Sequence, residues 1–566
     1  MANHEGRHPP ASSPARIERK SHPFGRGLAI VLAAGLVGSA ARGASGQAKE
    51  HGDHVLGRVD FPISCSAPAR VEFDRAVALL HHMTYPGARA AFEETAKIDP
   101  RCAMAHWGVA MTLFQPLWPT RPGPEELRRG WEAVQTARSL HPPTQRERLF
   151  VEAAAAFFQE PESPDYWQRI RRWATATENV YAAFPRDPEA AAFYALALLA
   201  AAPSDSVSPA NSARAASLLL GVYQRNPEHP GAMHYLVHAD DAPGRERESL
   251  AIVRKYETVA PRNPHALHMP THIYTRLGDW DAVIRGNARA AEAALRYPVG
   301  ERGRLVWDEF PHAIEYLVYA YLQEGADDRA AAQVERLQAT PRLQPTFKTA
   351  FHLASTRARY ALERHAWSEA MSLPPRQPPA LDWDHFMWPE AVTWFARGLG
   401  AAHEGRLEEA RAAAGRLDAL TKAASGAGEP LFARNIRILR LGVGAWIAHA
   451  EHETAFSVAL MREAAELELA TPKHAVTPGP TLPAYELLGD LLMEQAHPAA
   501  ALAAYERALE LYPRRFNSLL GAARAARASG DESQARAFYQ TLLEVAGGST
   551  RAAVLEEARA FVSRRR

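Results

Sequence analysis

Two short stretches of the chain concentrate side chains able to hold a metal ion. His229-Pro-Gly-Ala-Met-His234-Tyr-Leu-Val-His238-Ala-Asp-Asp241 is followed by His265-Ala-Leu-His268-Met-Pro-Thr-His272-Ile-Tyr274. His234 and His238 are four residues apart, as are His268 and His272, so on a helix each pair projects from one face, one turn apart. Each pair can chelate one ion. The register between the pairs is equally informative, because 268 − 234 and 272 − 238 both give 34. Both pairs also precede a glycine by ten and six residues, at Gly244 and Gly278. The same count back from Gly325 reaches Glu315 and Tyr319, with His312 one turn earlier on that face, and from Gly87 it reaches Val77 and His81.

Neutral imidazoles with a nearby carboxylate are the ligand set of zinc, copper and non-haem iron. The candidate metal ligands are therefore His234, His238, His268 and His272, joined by His312, Glu315 and Asp241, with copper or iron favoured and zinc possible. Asp240 or Asp241 is either a further ligand or the partner that fixes an imidazole tautomer. In a redox reading Tyr235, Tyr274 or Tyr319 supplies redox or hydrogen-bonding groups. The competing reading is a polar groove for a peptide or small anion. A single histidine on a helix face is usually a packing or capping residue, and His81, His82, His106 and His352 are read that way first.

Several other patterns carry no chemistry. His4-Glu5-Gly6-Arg7-His8 has zinc-protease spacing, but Pro9 and Pro10 follow at once. Glu309-Phe-Pro-His312 has di-iron spacing, yet Pro311 is expected to start the helix and leave Glu309 outside it. Trp107, Trp118, Trp307, Trp388 and Trp394 are expected to pack between helices.

The elements that carry these residues repeat with a period of 34. Tyr485, Leu488, Gly489, Ala501, Tyr505, Ala508 and Pro513 are followed by Ala535 and Tyr539, 34 residues beyond Ala501 and Tyr505. Ala88, Phe92 and Pro100 reproduce the same offsets near the other end. This pattern resembles the tetratricopeptide repeat family. The resemblance implies an all-α solenoid of stacked helical hairpins over 49–566, clearest at 69–102, 230–297 and 482–549. It also implies a concave groove lined by first helices, with the four histidines, His312 and Glu315 side by side on its surface. The proline-rich stretches at Pro116–Pro124, Pro374–Pro379 and Pro478–Pro483 are expected to be inter-repeat loops, and the apolar run Ala190–Ala202 a buried helix.

Composition narrows the partners. With 65 basic and 64 acidic residues the net charge is +1, which gives no field for nonspecific nucleic-acid binding. Arg16, Arg19, Lys20 and Arg26 precede an apolar stretch from Gly27 to Ala41 and then small residues, the pattern of an export signal over 1–48. The mature chain is then expected to be periplasmic or secreted, without stable membrane insertion. In that oxidising setting the two cysteines, Cys65 and Cys102, are expected to form a disulfide. The expectation for function is an exported protein with a histidine-rich metal site in its groove, a copper- or iron-dependent oxidoreductase acting on a small molecule or peptide. The alternatives are a non-catalytic interaction scaffold and a metal carrier.

Overall fold

Helix starts recur with the repeat. His229 and Asn263, 34 residues apart (263 − 229), are each followed by a proline. Their side chains accept hydrogen bonds from the N–H groups of Ala232 and Ala266, while Pro230 and Pro264 fill a first-turn position that needs no N–H. Asp187 before Pro188 caps its helix in the same way.

The computed structural model describes residues 55–163, 165–201, 208–300 and 303–564. The expected export signal, 1–48, lies outside them. Helical hairpins follow one another along the chain, from Ala67–His81 with Tyr85–Ile98 to Phe516–Ala528 with Glu532–Val545, and Ala552–Ser563 ends the stack. The only strands among the described residues are the short antiparallel pair Pro298–Val299 and Leu305–Val306. The fold is an all-α helical-repeat solenoid of tetratricopeptide type. Pro188–Ala200 is the buried helix expected there, and no helix among the described residues is long and apolar enough to cross a membrane.

The solenoid does not leave its concave side open. Its last repeats fold back on the middle ones, burying Phe516, Leu519 and Tyr539 with Trp280, Tyr316 and Tyr319. Gly278 and Gly325, which follow two of the histidine-bearing helices, have φ of +66° and +67° and are contact points of this closure. A side chain at Gly278 would strike the carbonyl oxygen of Pro513 at 2.7 Å, and one at Gly325 the hydroxyl of Ser549 at 2.5 Å. Farther round, Arg121 meets Glu429 at 3.0 Å and Trp167 donates to the carbonyl of Gly428 at 3.2 Å. The Pro478–Pro483 segment departs from the expected loop role. With the residues from 471 onward it enters the groove and is held there by Arg359, which donates to the carbonyls of Gly479, Pro480 and Thr481.

Arg515 is the buried lock of the closure. It donates to Glu486 from the neighbouring repeat, to Glu363 across the groove at 2.9 Å, and to the Tyr319 hydroxyl at 3.0 Å. Arg515→Met leaves two buried carboxylates unpaired and is expected to cost about 3–5 kcal/mol in urea unfolding. A loss below 1 kcal/mol, an order of magnitude typical of exposed pairs, would rule out that role.

Cys65 and Cys102 are bonded, with Cα atoms 5.2 Å apart, and precede the helices Ala67–His81 and Ala103–Met111. Closing a loop of 37 residues stabilises the fold by about 4 kcal/mol in the chain-entropy account. Thiol titration of the unfolded, unreduced protein should find no free cysteine, and reduction should lower the urea midpoint accordingly.

Candidate metal centre

The histidines form two triads. Helix Pro230–Asp240 carries His234 and His238, and the short helix Pro264–His268 supplies His265. The Nε2 atoms of these three converge, with His234 3.2 Å from His238 and 3.1 Å from His265. In the second triad His268 and His272 straddle the break at Pro270, and His312 comes from helix Glu309–Gln323. The Nε2 atoms of His268 and His272 are 3.0 Å apart. Within each triad the ligand atoms lie within 4.8 Å of one another. The triads adjoin, with ring centroids 6.0 Å apart for His238 and His272 and 6.2 Å for His265 and His268.

Partners on the far side of each ring decide its tautomer. His234 Nδ1 faces the carbonyl of His81 at 2.5 Å, His268 Nδ1 faces Asn287 Oδ1 at 2.7 Å, and His272 Nδ1 faces Asp241 Oδ2 at 2.9 Å. His265 Nδ1 lies 3.1 Å from Glu309 Oε2. His352 donates from Nδ1 to Glu315, so its bare Nε2 accepts from His312 Nδ1 at 2.9 Å. In His234, His268, His272 and His312 the proton therefore sits on Nδ1, and the Nε2 lone pairs of His268 and His272 meet at 3.0 Å. Lone pairs about 3 Å apart repel unless a cation lies between them, and two nitrogens bound tetrahedrally at 2.0–2.1 Å are about 3.3 Å apart. The donor set thus fits a metal ion in each triad.

Protonation is the other way to relieve the repulsion, and burial opposes it. It holds the imidazoles of His234, His238, His268 and His312 well below the usual histidine range and brings His272 to about 4. A third group, His81, Glu189 and His229, lies equally close together but is different chemistry. His229 Nδ1 accepts from the Ala232 N–H, and both Nε2–H groups donate to the Glu189 carboxylate, at 2.8 Å from His81 and 3.1 Å from His229. Every lone pair there is used, so this trio is structural. His82 is likewise consumed by Tyr256 and the carbonyl of Leu56.

Several expectations are corrected. The histidines do not line an open surface: His234, His268, His272 and His312 are buried beneath Trp118, Ala475 and Val476, and only His238 keeps an edge exposed. Glu315 does not join either triad, since its oxygens are taken by His352, Ser355 and Arg359, and it reaches His312 only through His352. Asp241 likewise stands behind His272. Glu309 does lie inside its helix, where Asp308 precedes it, and it pairs with Lys348. Tyr235, Tyr274 and Tyr319 are engaged with His81, Glu257 and Arg515, whereas Tyr316 is the tyrosine at the site, its hydroxyl 3.2 Å from His272 Nδ1. Trp118 lies over Lys348 and beside His265 rather than between repeats. His265, a ligand the four-residue spacing passes over, was visible in the register. It stands 13 residues before Gly278, as His312 stands 13 before Gly325 (278 − 265, 325 − 312).

No protein-family model and no curated protein sequence matches this chain. Among solved structures it is similar to the APC/C hetero-tetramer Cut9-Hcn1, at 14% identity over 87% of this chain and 96% of that one, TM-score 0.28. It is also similar to the human IFIT1 dimer with m7Gppp-AAAA, at 13% identity over 78% and 90%, TM-score 0.34.

The depressed basicity of the buried rings sets the sign of a pH effect on the metal-free protein. Unfolded imidazoles bind protons near pH 6.5 and the folded ones only at lower pH, so the folded state binds fewer protons in between. Stability is complete above pH 6.5 and is lost as the pH falls from there through about 4, the value for His272. The thermal midpoint of chelator-treated protein should drop between pH 7 and 5, and His268→Gln with His272→Gln should flatten that drop. Equal slopes in the two proteins would refute the assignment.

Proposed function

We propose that the two triads hold a pair of transition-metal ions and that the chain is an exported, metal-dependent oxidoreductase built on a helical-repeat scaffold. The observation that supports this reading is the convergence of three Nε2 atoms at 3.1–3.2 Å in one triad and, in the other, the approach to 3.0 Å of His268 and His272 Nε2 while their Nδ1 protons are tied to acceptors behind them. Copper is the first choice. Three imidazoles without a carboxylate suit copper or zinc, whereas non-haem iron sites typically draw on carboxylates. Here Asp241, Glu309 and Glu315 all stand behind imidazoles or cations. Bound copper supplies one-electron and oxygen chemistry. The chain's own residues hold the imidazoles deprotonated at Nε2, exclude bulk water through Trp118 and the 471–483 segment, and offer the Tyr316 hydroxyl as a hydrogen-bond group beside His272. A cavity of about 20 Å³ between the triads has room for one water-sized ligand. The bonded cysteines accord with an oxidising compartment.

A second reading has its own support. The His81–Glu189–His229 trio shows that this chain also buries histidines for structure alone, and the fold is one that often serves as an interaction scaffold. Elemental analysis separates the two. Protein purified without chelators or a histidine tag should carry two ions per chain, and His238→Ala or His272→Ala should lose one or both. Asp241→Asn, which removes only the support of His272, should weaken metal affinity about 10- to 100-fold. His106→Ala should change nothing. If no stoichiometric metal is present, and the triads can be altered without affecting uptake of added copper or zinc, the scaffold reading takes its place. Metal without turnover of a reductant under oxygen would make the chain a carrier.

A further inference from the structure

A cavity of about 790 Å³ adjoins the triads, and His238, Asp241 and Trp118 belong to its wall. His238 and Trp118 also border the small space between the triads, so this cavity is the approach to the site. Its volume is that of a small-molecule pocket. Its charge is one-sided. Arg121, Arg245, Arg276, Arg434 and Lys473 line it, against the carboxyl groups of Asp241 and Glu468 alone. Burial pushes Glu468 up to about 8, so it is neutral at pH 7 even though part of its surface faces the cavity. Arg121 and Arg245 are already matched by Glu429 and by Asp240 with Glu248. Arg276 and Lys473 share the single carboxylate of Asp241; Arg276 reaches it through Nε, while its Nη2 donates to the backbone carbonyl of Asp241. At the inner end, beside His238 and behind His272, two cations thus face one carboxylate.

The wider surroundings of the triads carry no excess of either sign. Asp241, Asp308, Glu309 and Glu315 are balanced by Arg276, Lys348, Arg359 and Lys473. With neutral imidazoles as the only ligands, a loaded site carries the full charge of its ions in a buried place, and an anion is the ligand that relieves it. Trp118, Trp167, Leu199, Leu469 and Leu511 add apolar surface to the wall.

We propose that this cavity is the substrate vestibule and that it takes an aromatic carboxylate, its anionic end drawn to Arg276 and Lys473 and its ring lying against the tryptophans. The word substrate rests on the metal-site reading; the binding does not. The probes are benzoate and indole-3-acetate, each against its uncharged amide, titrated by calorimetry into chelator-treated and copper-loaded full-length protein, with metal content measured on the same samples. At least one carboxylate should bind the metal-free protein about tenfold or more tightly than its amide, and copper should tighten it further. Lys473→Met should weaken that preference. Leu469→Glu places a negative charge on a rim residue that is 45% exposed, so it spares the fold, and it should also weaken the carboxylate. Amides binding as well as acids, no binding of either acid, or insensitivity to Leu469→Glu in folded protein overturns the inference. Carboxylate binding in protein that takes up no metal leaves the anion site standing and sinks the metal reading; metal uptake without carboxylate binding does the reverse.

Discussion

A buried neutral imidazole has one donor and one acceptor to satisfy, and that requirement governs the middle of this molecule. Leaving either unpaired in a low-dielectric interior costs about 1–3 kcal/mol, and charging the ring costs more. The chain meets the donor half with a carbonyl behind His234, an amide oxygen behind His268, a carboxylate behind His272 and a second imidazole behind His312. The acceptor half is met in the His81–Glu189–His229 trio by inverting the tautomer, and in the two triads it is left to face other lone pairs. The same residue type in the same fold therefore does two jobs, and the position of one proton separates them.

Keeping those rings dry depends on closure. An open tetratricopeptide groove would leave them in solvent, where their basicity would be ordinary and their geometry loose. Here the last repeats return to the middle through Arg515, and the segment after the Thr454–Leu469 helix is drawn inward by Arg359 and by Lys473, which reaches Asp241 at 2.6 Å. Asp241 is the point where site and closure meet. It orients His272, anchors Arg276 and receives Lys473, so the hydrogen bond that fixes a ligand also fastens the segment that covers it. The closure and the shape of the approach cavity are consequently one structural decision.

The sequence by itself determined the helices, the period and the face on which most of the histidines stand, because these follow from local rules: proline and capping residues at helix starts, a 34-residue recurrence, and side chains four apart sharing one side of a helix. His234, His238, His268, His272 and His312 could be read from that register, as could the Cys65–Cys102 pair from its count and compartment. Only the tertiary fold places Glu315 and Asp241 behind histidines instead of among the triad atoms, sets His352 between Glu315 and His312, and surrounds the triads with Lys348, Trp118 and Tyr316. Those contacts join residues from separate repeats whose distance depends on the curvature of the whole stack, and curvature is a sum of many small packing angles that no local pattern encodes. The inward turn of residues 471–483 was hidden for the same reason. A proline-rich segment looks like a surface loop until Arg359 and the Tyr316 hydroxyl, on distant helices, give its carbonyl groups somewhere to go.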